Sequence, residues 1–421
     1  MNDKEYVELL ERELVPAMGC TEPIAVAYAA AIARRELGTL PERVDVTVSS
    51  NIIKNVKSVI VPNTDGLHGI EAAAAAGIIA GKSEKALLVI SEVTEDEKKA
   101  IAEYLKSAVF TVNESTSGEL FDITVRVEAE GRSGTCRICG EHTNVVSVES
   151  DGVTVSGGKG HVAPEVSDKS FLTVEGIVNF ADRVDIETIK PVLKRQIDCN
   201  MAIAREGILG SYGAEIGKVL LRSRKNSPVN RAKAMAAAAS DARMGGCEKP
   251  VVINSGSGNQ GITASVPVIV YAEELNSSEE RLYRALAVSN LITLHLKDGI
   301  GPLSAYCGAV SAGCGAAAGI AYLYGGGVDE IAHTVVNALA INSGMICDGA
   351  KASCAAKIAS AVEAGILGME MYRLGSQFYG GDGIVSKGVE NTIANVSRVA
   401  GEGMRKTDEE IIKIMLGKSG K

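Results

Sequence analysis

Residues 301–327 read GPLSAYCGAVSAGCGAAAGIAYLYGGG, a run of Ala, Gly, Ser and Cys closed by three glycines. Side chains this small let one helix lie close against another, so 307–323 is predicted to be a helix packed among other helices. The same texture extends outward. Ala-rich helical periodicity marks 187–220, 229–244, 260–274, 279–297, 328–343 and 350–366. Gly-rich breaks separate these segments: GSGNQG, KDGIGP, YGGGVD, CDGAK and YGGDGIVSKG. Strand signals nearly vanish after about residue 170.

Upstream the period changes to two. VDVTVSS from Val44, IIKNVKSVIV (52–61), ALLVI (86–90), VFTVNEST (109–116), FDITVRVEAEG (121–131) and HTNVVSVESDG (142–152) read as strands, with helices over 68–80 and 95–106 between them. Two helices precede this stretch, over 3–16 and from Thr21 to about Leu37. Glu22 and Pro23 suit the first turn of the second, and Cys20 falls at its N-terminus. The expected fold class is α+β: a mostly helical, Ala/Gly-rich catalytic domain with a smaller inserted α+β domain. Residues 1–40 supply its N-terminal helices, 41–165 the insertion and 166–421 the helical body. The polar segment SGGKGHVAPEVSDKS (156–170) is expected to be a linker or crossover.

The 421 residues carry 43 Lys and Arg against 52 Asp and Glu, a formal charge of −9, which argues against nucleic acid as a partner. At 46% hydrophobic and 23% charged, the chain has the composition of a folded globule. The N-terminus MNDKEYVELLERELVP is acidic and amphipathic, unlike a signal or transit peptide. No window reaches the roughly 18–20 apolar residues of a membrane span. A cytoplasmic protein is expected, off the membrane, where thiols stay reduced. Nine cysteines then need another account.

Cys136 and Cys139 form a CxxC pair, but no second pair exists to complete a four-ligand zinc site, and two reduced thiols near a turn suffice. Cys199 and Cys247 are isolated and read as packing residues. Cys307, Cys314, Cys347 and Cys354 each lie beside Gly or other small residues at the expected edge of a helix. Backbone N–H groups can point at sulfur there and offset the charge of thiolates on an iron–sulfur cluster, whose ligands come from several segments. Buried helix cysteines are the plainer alternative.

Three polar motifs add chemistry. GCTEP (19–23) puts Cys20 where a helix N-terminus would lower a thiol pKa and make it a base or nucleophile. NSGSGNQG (254–261) runs into a helix expected near Gly261, and Ser255, Gly256, Ser257, Gly258, Asn259 and Gln260 are candidates to hold a small carboxylate. It follows no βαβ unit, so a dinucleotide site is rejected. NIIKN (51–55) and VPNTDGLHG (61–69) form further polar loops, with Asn51, Lys54, Asn55 and Thr64 as candidate substrate contacts.

GCTEP, NIIKN, VPNTDG, HTN (142–144), SGSGNQG and the CG, CG, CD, C series occur together. In that combination the chain resembles the L-cysteine desulfidases of the serine-dehydratase-like alpha family, relatives of the iron–sulfur L-serine dehydratases. The resemblance spans essentially the whole sequence. It implies conversion of L-cysteine and water to hydrogen sulfide, ammonia and pyruvate on a [4Fe–4S] cluster, without pyridoxal phosphate. It implies Cys20 as the proton acceptor, and Cys347 and Cys354 as two of three cluster ligands. Cys307 is the choice over Cys314 for the third, since it stands 40 residues before Cys347. One iron is then left open. L-Serine is the alternative substrate, and a non-catalytic iron–sulfur redox sensor the alternative from another class. A small amino acid is the expected ligand, and a homo-oligomer, as a dimer, the expected assembly. The chain ends MLGKSGK, without the cysteine tail of the serine dehydratases.

Overall fold

The structure is a computed structural model describing residues 3–157, 169–301 and 303–417. The linker expected over 156–170 lies largely outside them. Helix α1 (Asp3–Glu13) leads through a short strand, β1 (Pro16–Met18), into α2 (Thr21–Leu37). Next come β2 (Arg43–Val48), α3 (Ser50–Val56), α4 (Ile70–Ala80) and α5 (Glu95–Ser107). Five strands follow: β3 (Val109–Glu114), β4 (Asp122–Ala129), β5 (Arg132–Cys139), β6 (Val145–Ser150) and β7 (Val153–Gly157). The remainder is helical but for β8 (Pro250–Val252). Its first helices are α6 (Val174–Arg183), α7 (Ile186–Leu209), α8 (Ile216–Ser223), α9 (Pro228–Met244), α10 (Gly258–Glu274) and α11 (Glu279–Asp298). Then come α12 (Gly308–Leu323), α13 (Val328–Ile341), α14 (Cys354–Arg373), α15 (Val389–Arg398) and α16 (Arg405–Met415). The fold is α+β, as expected from the sequence. Among the described residues no helix is long and apolar enough to cross a membrane.

Strands β2 to β7 form one sheet in the order β3-β2-β4-β5-β6-β7, with β2 and β3 parallel and the other neighbours antiparallel. Helix α2 lies on this sheet. A side chain at Gly134 of β5 would stand 2.2 Å from the Ala33 carbonyl oxygen, and one at Gly77 of α4 would stand 2.1 Å from that of Ala27. The Ala-rich α2 is thus clamped on two sides, which fixes the direction in which its N-terminus points. In the helical body, α12 runs between α11 and α14. Gly313 approaches the Ala361 carbonyl and Gly365 that of Gly313, each within 2.5 Å of where a Cβ would sit. Only a small-residue stripe permits such contact.

Three sequence expectations differ from the structure. IIKNV is helix α3, not strand: Ile52 and Val56 are buried one turn apart, a spacing that a short apolar run shares with strands. ALLVI falls in a 3₁₀ segment, Ser83–Leu88, and the turns after it, with Ala86 at φ +46° breaking any extended path. The helix expected over 187–220 divides into α7 and α8: the extended Gly210, at φ −80° and ψ 178°, ends the first, and Gly213 follows at φ +55° in the connection.

Candidate active site

The site begins with a strand pair. β1 and β8 run antiparallel, Pro16 opposite Val252 and Met18 opposite Pro250, so the GCTEP turn emerges beside the NSGSGNQG loop. Arg243 Nε closes the junction on the Gly19 carbonyl at 2.9 Å. A buried amide network backs the loop. Asn254 Nδ2 donates to Asn290 Oδ1 at 3.0 Å, and Gln196 Nε2 to the same oxygen at 2.9 Å. Ser255 and Gly256 follow in left-handed conformations, φ +48° and +73°. Helix α10 starts at Gly258, three residues earlier than expected, so Gly258, Asn259 and Gln260 form its first turn, where N–H groups lack intrahelical acceptors.

One cavity of about 120 Å³ collects these parts. That is well below the roughly 300–1,000 Å³ of pockets for drug-sized ligands, so the space suits a small molecule and not a dinucleotide. Its wall carries four thiols (Cys20, Cys307, Cys347, Cys354), three cations (Lys54, Arg243, Lys297) and one carboxylate, Glu22. Asn55, Ser257, Asn259 and Gln260 line it as well. Five expected substrate contacts do not: Asn51, Thr64, Ser255, Gly256 and Gly258 are absent from the lining. Thr64 Oγ1 donates to the Val61 carbonyl at 2.7 Å, and Ser255 Oγ to Asn254 Oδ1 at 3.1 Å. The Asn51 Oδ1 is buried with no partner among the described residues. Gly256 lies against the His142 ring, and a side chain at Gly258 would stand 2.3 Å from Arg243 Nε.

Cys20 caps α2, as its position in GCTEP predicts, yet its pKa moves opposite to the helix-dipole expectation. Complete burial and the neighbouring Glu22 charge push the thiol well above its ordinary value, against Arg243. Its Sγ donates to Glu22 Oε2 at 3.1 Å, while Asn55 Nδ2 donates to Glu22 Oε1 at 2.9 Å. Burial pushes Glu22 up, but the His142 charge, the Cys20 thiol, its own backbone N–H and Arg243 outweigh this, and Glu22 stays ionised. The resting proton therefore sits on sulfur.

The other three thiols stand at chain reversals. Cys307 caps α12 and Cys354 opens α14. Backbone N–H groups of Ala309, Gly349 and Lys351 point at Cys307, Cys347 and Cys354 respectively. Cys307 shares its proton with Cys347, which is pulled toward thiolate by that hydrogen bond and by Lys54, against burial. Cys314 is buried within α12 and does not line the cavity. Among the described residues no three His, Cys, Asp or Glu side chains are grouped as a site for one metal ion. A cluster makes a different demand, since each thiolate binds its own iron from a separate segment. Three thiols supplied with N–H donors, facing Lys54 and the fully buried Lys297, match what an anionic [4Fe–4S] cluster requires. Gln260 Oε1 and Tyr306 OH, also in the lining, are buried without hydrogen-bond partners among the described residues.

Sequence reasoning missed Glu22 as a chemical group, because it read as a first-turn residue, and Arg243, Lys297 and Tyr306 altogether. A lone Arg or Lys in a helical pattern carries no signal of burial. His142, noted only within HTN, stands edge-on to Phe121 at a ring distance of 4.7 Å, its Nε2 buried and unpartnered among the described residues.

Sequence comparison gives a consistent family. A UPF0597 protein of Desulfitobacterium hafniense is 60% identical over 414 residues, covering 98% of this chain and 96% of its own. UPF0597 proteins of Lachnoclostridium phytofermentans and Treponema denticola are 48% and 44% identical, covering 98% of this chain and 99% and 98% of their own. The sequence model of the serine dehydratase alpha chain matches residues 84–413, the segment that contributes Arg243, the Ser/Gly loop, Lys297 and the cavity-lining Cys307, Cys347 and Cys354. The chain belongs to the serine dehydratase alpha chain family.

Proposed function

We propose that the protein is a lyase that performs β-elimination on a small L-amino acid, L-cysteine before L-serine, giving hydrogen sulfide, ammonia and pyruvate from L-cysteine and water. The observation that carries this reading is the convergence of four thiols and a buried carboxylate on one small cavity. The proposal includes a cytoplasmic location, a dimer, and a division into N-terminal helices (1–40), an inserted domain (41–165) and a helical domain (166–421).

Cys307, Cys347 and Cys354 would hold a [4Fe–4S] cluster, which when bound supplies a Lewis-acidic iron with an open position. The protein's own groups do the rest. Lys297, buried and without a carboxylate partner among the described residues, offers its ammonium to the substrate carboxylate. Asn259, Gln260 and the free N–H groups at the start of α10 orient the bound molecule and accept developing negative charge. Cys20 takes the Cα proton as its own thiol proton passes to Glu22 Oε2, so that no isolated thiolate forms in the buried site. As the Cβ–S bond breaks with the electron pair from Cα, hydrosulfide leaves and takes up a proton to give hydrogen sulfide, and the aminoacrylate released adds water to give pyruvate and ammonia.

L-Serine is a second reading, favoured by the description of the family itself. Anaerobic iron–sulfur reconstitution followed by sulfide and pyruvate assays tests both. A larger kcat/KM for L-cysteine supports the first reading, a larger one for L-serine the second, and turnover of neither rejects the lyase.

A further inference from the structure

Helix α16 has an unusual burial pattern. Of its eleven residues, RKTDEEIIKIM, the one buried residue is a carboxylate, Asp408, while Ile414 is 66% exposed. A helix docked to extend the core would bury its isoleucines; burying a charge is costly unless a partner awaits it. Here the partner is Lys54, whose Nζ stands 2.5 Å from Asp408 Oδ1 with its side chain 1% exposed. Lys54 lines the catalytic cavity, and Asp408 is 354 residues further along the chain.

Lys54 sits on α3, which is seven residues long and too short to hold its shape unaided. The next residue, Asn55, donates to Glu22. On its other side, the Lys54 carbonyl meets the turn after Cys347, where a side chain at Gly349 would stand 2.4 Å from the carbonyl oxygen. Helix α3 thus joins the proton-handling pair to the thiol segment, and its one ion pair among the described residues leads to α16. A second, exposed contact from Lys57 to the Met415 carbonyl ties the same two helices.

We propose that Asp408 is a positioning residue: by pairing with Lys54 it fixes α3, and with it the Asn55 contact to Glu22, so that the last helix of the chain is a working part of the cavity. Lys54 has four rotatable carbons, and without its carboxylate it has no reason to keep one geometry.

Asp408→Asn tests this in the whole 421-residue chain with two readouts, one of which rests on the lyase reading and one of which does not. In cluster-free protein, amide hydrogen exchange should quicken about tenfold or more in residues 50–57 and 405–415 while the remainder is unchanged, and Asp408→Glu should restore it. In reconstituted protein, kcat for L-cysteine should fall about tenfold or more with KM within about threefold, again recovered by Asp408→Glu. Unchanged exchange in 50–57 overturns the proposal. So does a rise throughout the chain, which would make Asp408 a general stabiliser. If the parent protein turns over no amino acid, the lyase reading fails and the exchange result alone decides the positioning role.

Discussion

The Cys20 thiol donates a 3.1 Å hydrogen bond to the buried Glu22 carboxylate two residues on, in the first turn of α2. Because sulfur holds the proton and the carboxylate is ionised, Cys20 can act as a base only as its proton passes to Glu22. Cys20→Ala and Glu22→Gln should each lower pyruvate formation by about 10²–10⁴-fold, the usual contribution of a positioned base. Iron content after reconstitution should stay at the parental level in both. Near-normal turnover in Glu22→Gln would remove the carboxylate from the relay and leave Cys20 to act alone.

The four C-terminal cysteines separate by environment. Cys307, Cys347 and Cys354 line the cavity, whereas Cys314 is packed within α12. Replacing any of the first three with Ala should abolish the visible absorbance regained on anaerobic reconstitution, since a cluster bound by two thiolates is poorly held. Cys314→Ala should retain it. A Cys314 variant that loses the chromophore while Cys307→Ala keeps it would reverse the ligand choice.

Close helix packing predicts a stability effect remote from the cavity. A Cβ at Gly313 would lie 2.5 Å from the Ala361 carbonyl oxygen, backbone that cannot yield cheaply. Gly313→Val should cost about 1–3 kcal/mol or more in urea unfolding. Gly344→Ala, in open space at an exposed turn, should stay within about 0.5 kcal/mol of the parent. Equal midpoints for the two variants would show that α12 and α14 separate easily.

Asp241 gives stability a pH signature. Its carboxylate accepts the Gly217 N–H at 3.2 Å, and burial pushes its pKa up to about 6 against that bond and those from Ile216 and Ala214. An acid whose folded pKa is raised favours folding most while protonated in both states, below about pH 4, and that contribution is lost as pH rises through about 6. Relative to Asp241→Asn, the parent should therefore lose about 1–3 kcal/mol between about pH 4 and pH 7. Parallel stability curves for the two proteins would place the pKa near its ordinary value.

Much was legible in the sequence because it depends on neighbours along the chain. Ala and Gly periodicity located α9 to α13 to within a few residues, whereas α14 runs to Arg373, seven residues past its expected end, and alternation located β2 and β4. Cys20 at the start of a helix and the Ser/Gly loop before another followed from capping and turn preferences. Where apolar runs were short, as in IIKNV and ALLVI, strand and helix periods coincide over so few positions that only packing selects between them. The chemistry of the cavity was less legible still. The sign of the Cys20 shift depends on burial and on Glu22, which outweigh a helix dipole that local sequence alone would credit. Lys54, Arg243, Lys297 and Asp408 lie on four helices, and their meeting depends on the β1–β8 pair and on how α2, α3 and α16 stack. Local sequence determines which residues can start a helix or hold a thiol. Which charges face one another across 354 residues of chain is decided only when the tertiary fold removes water from between them.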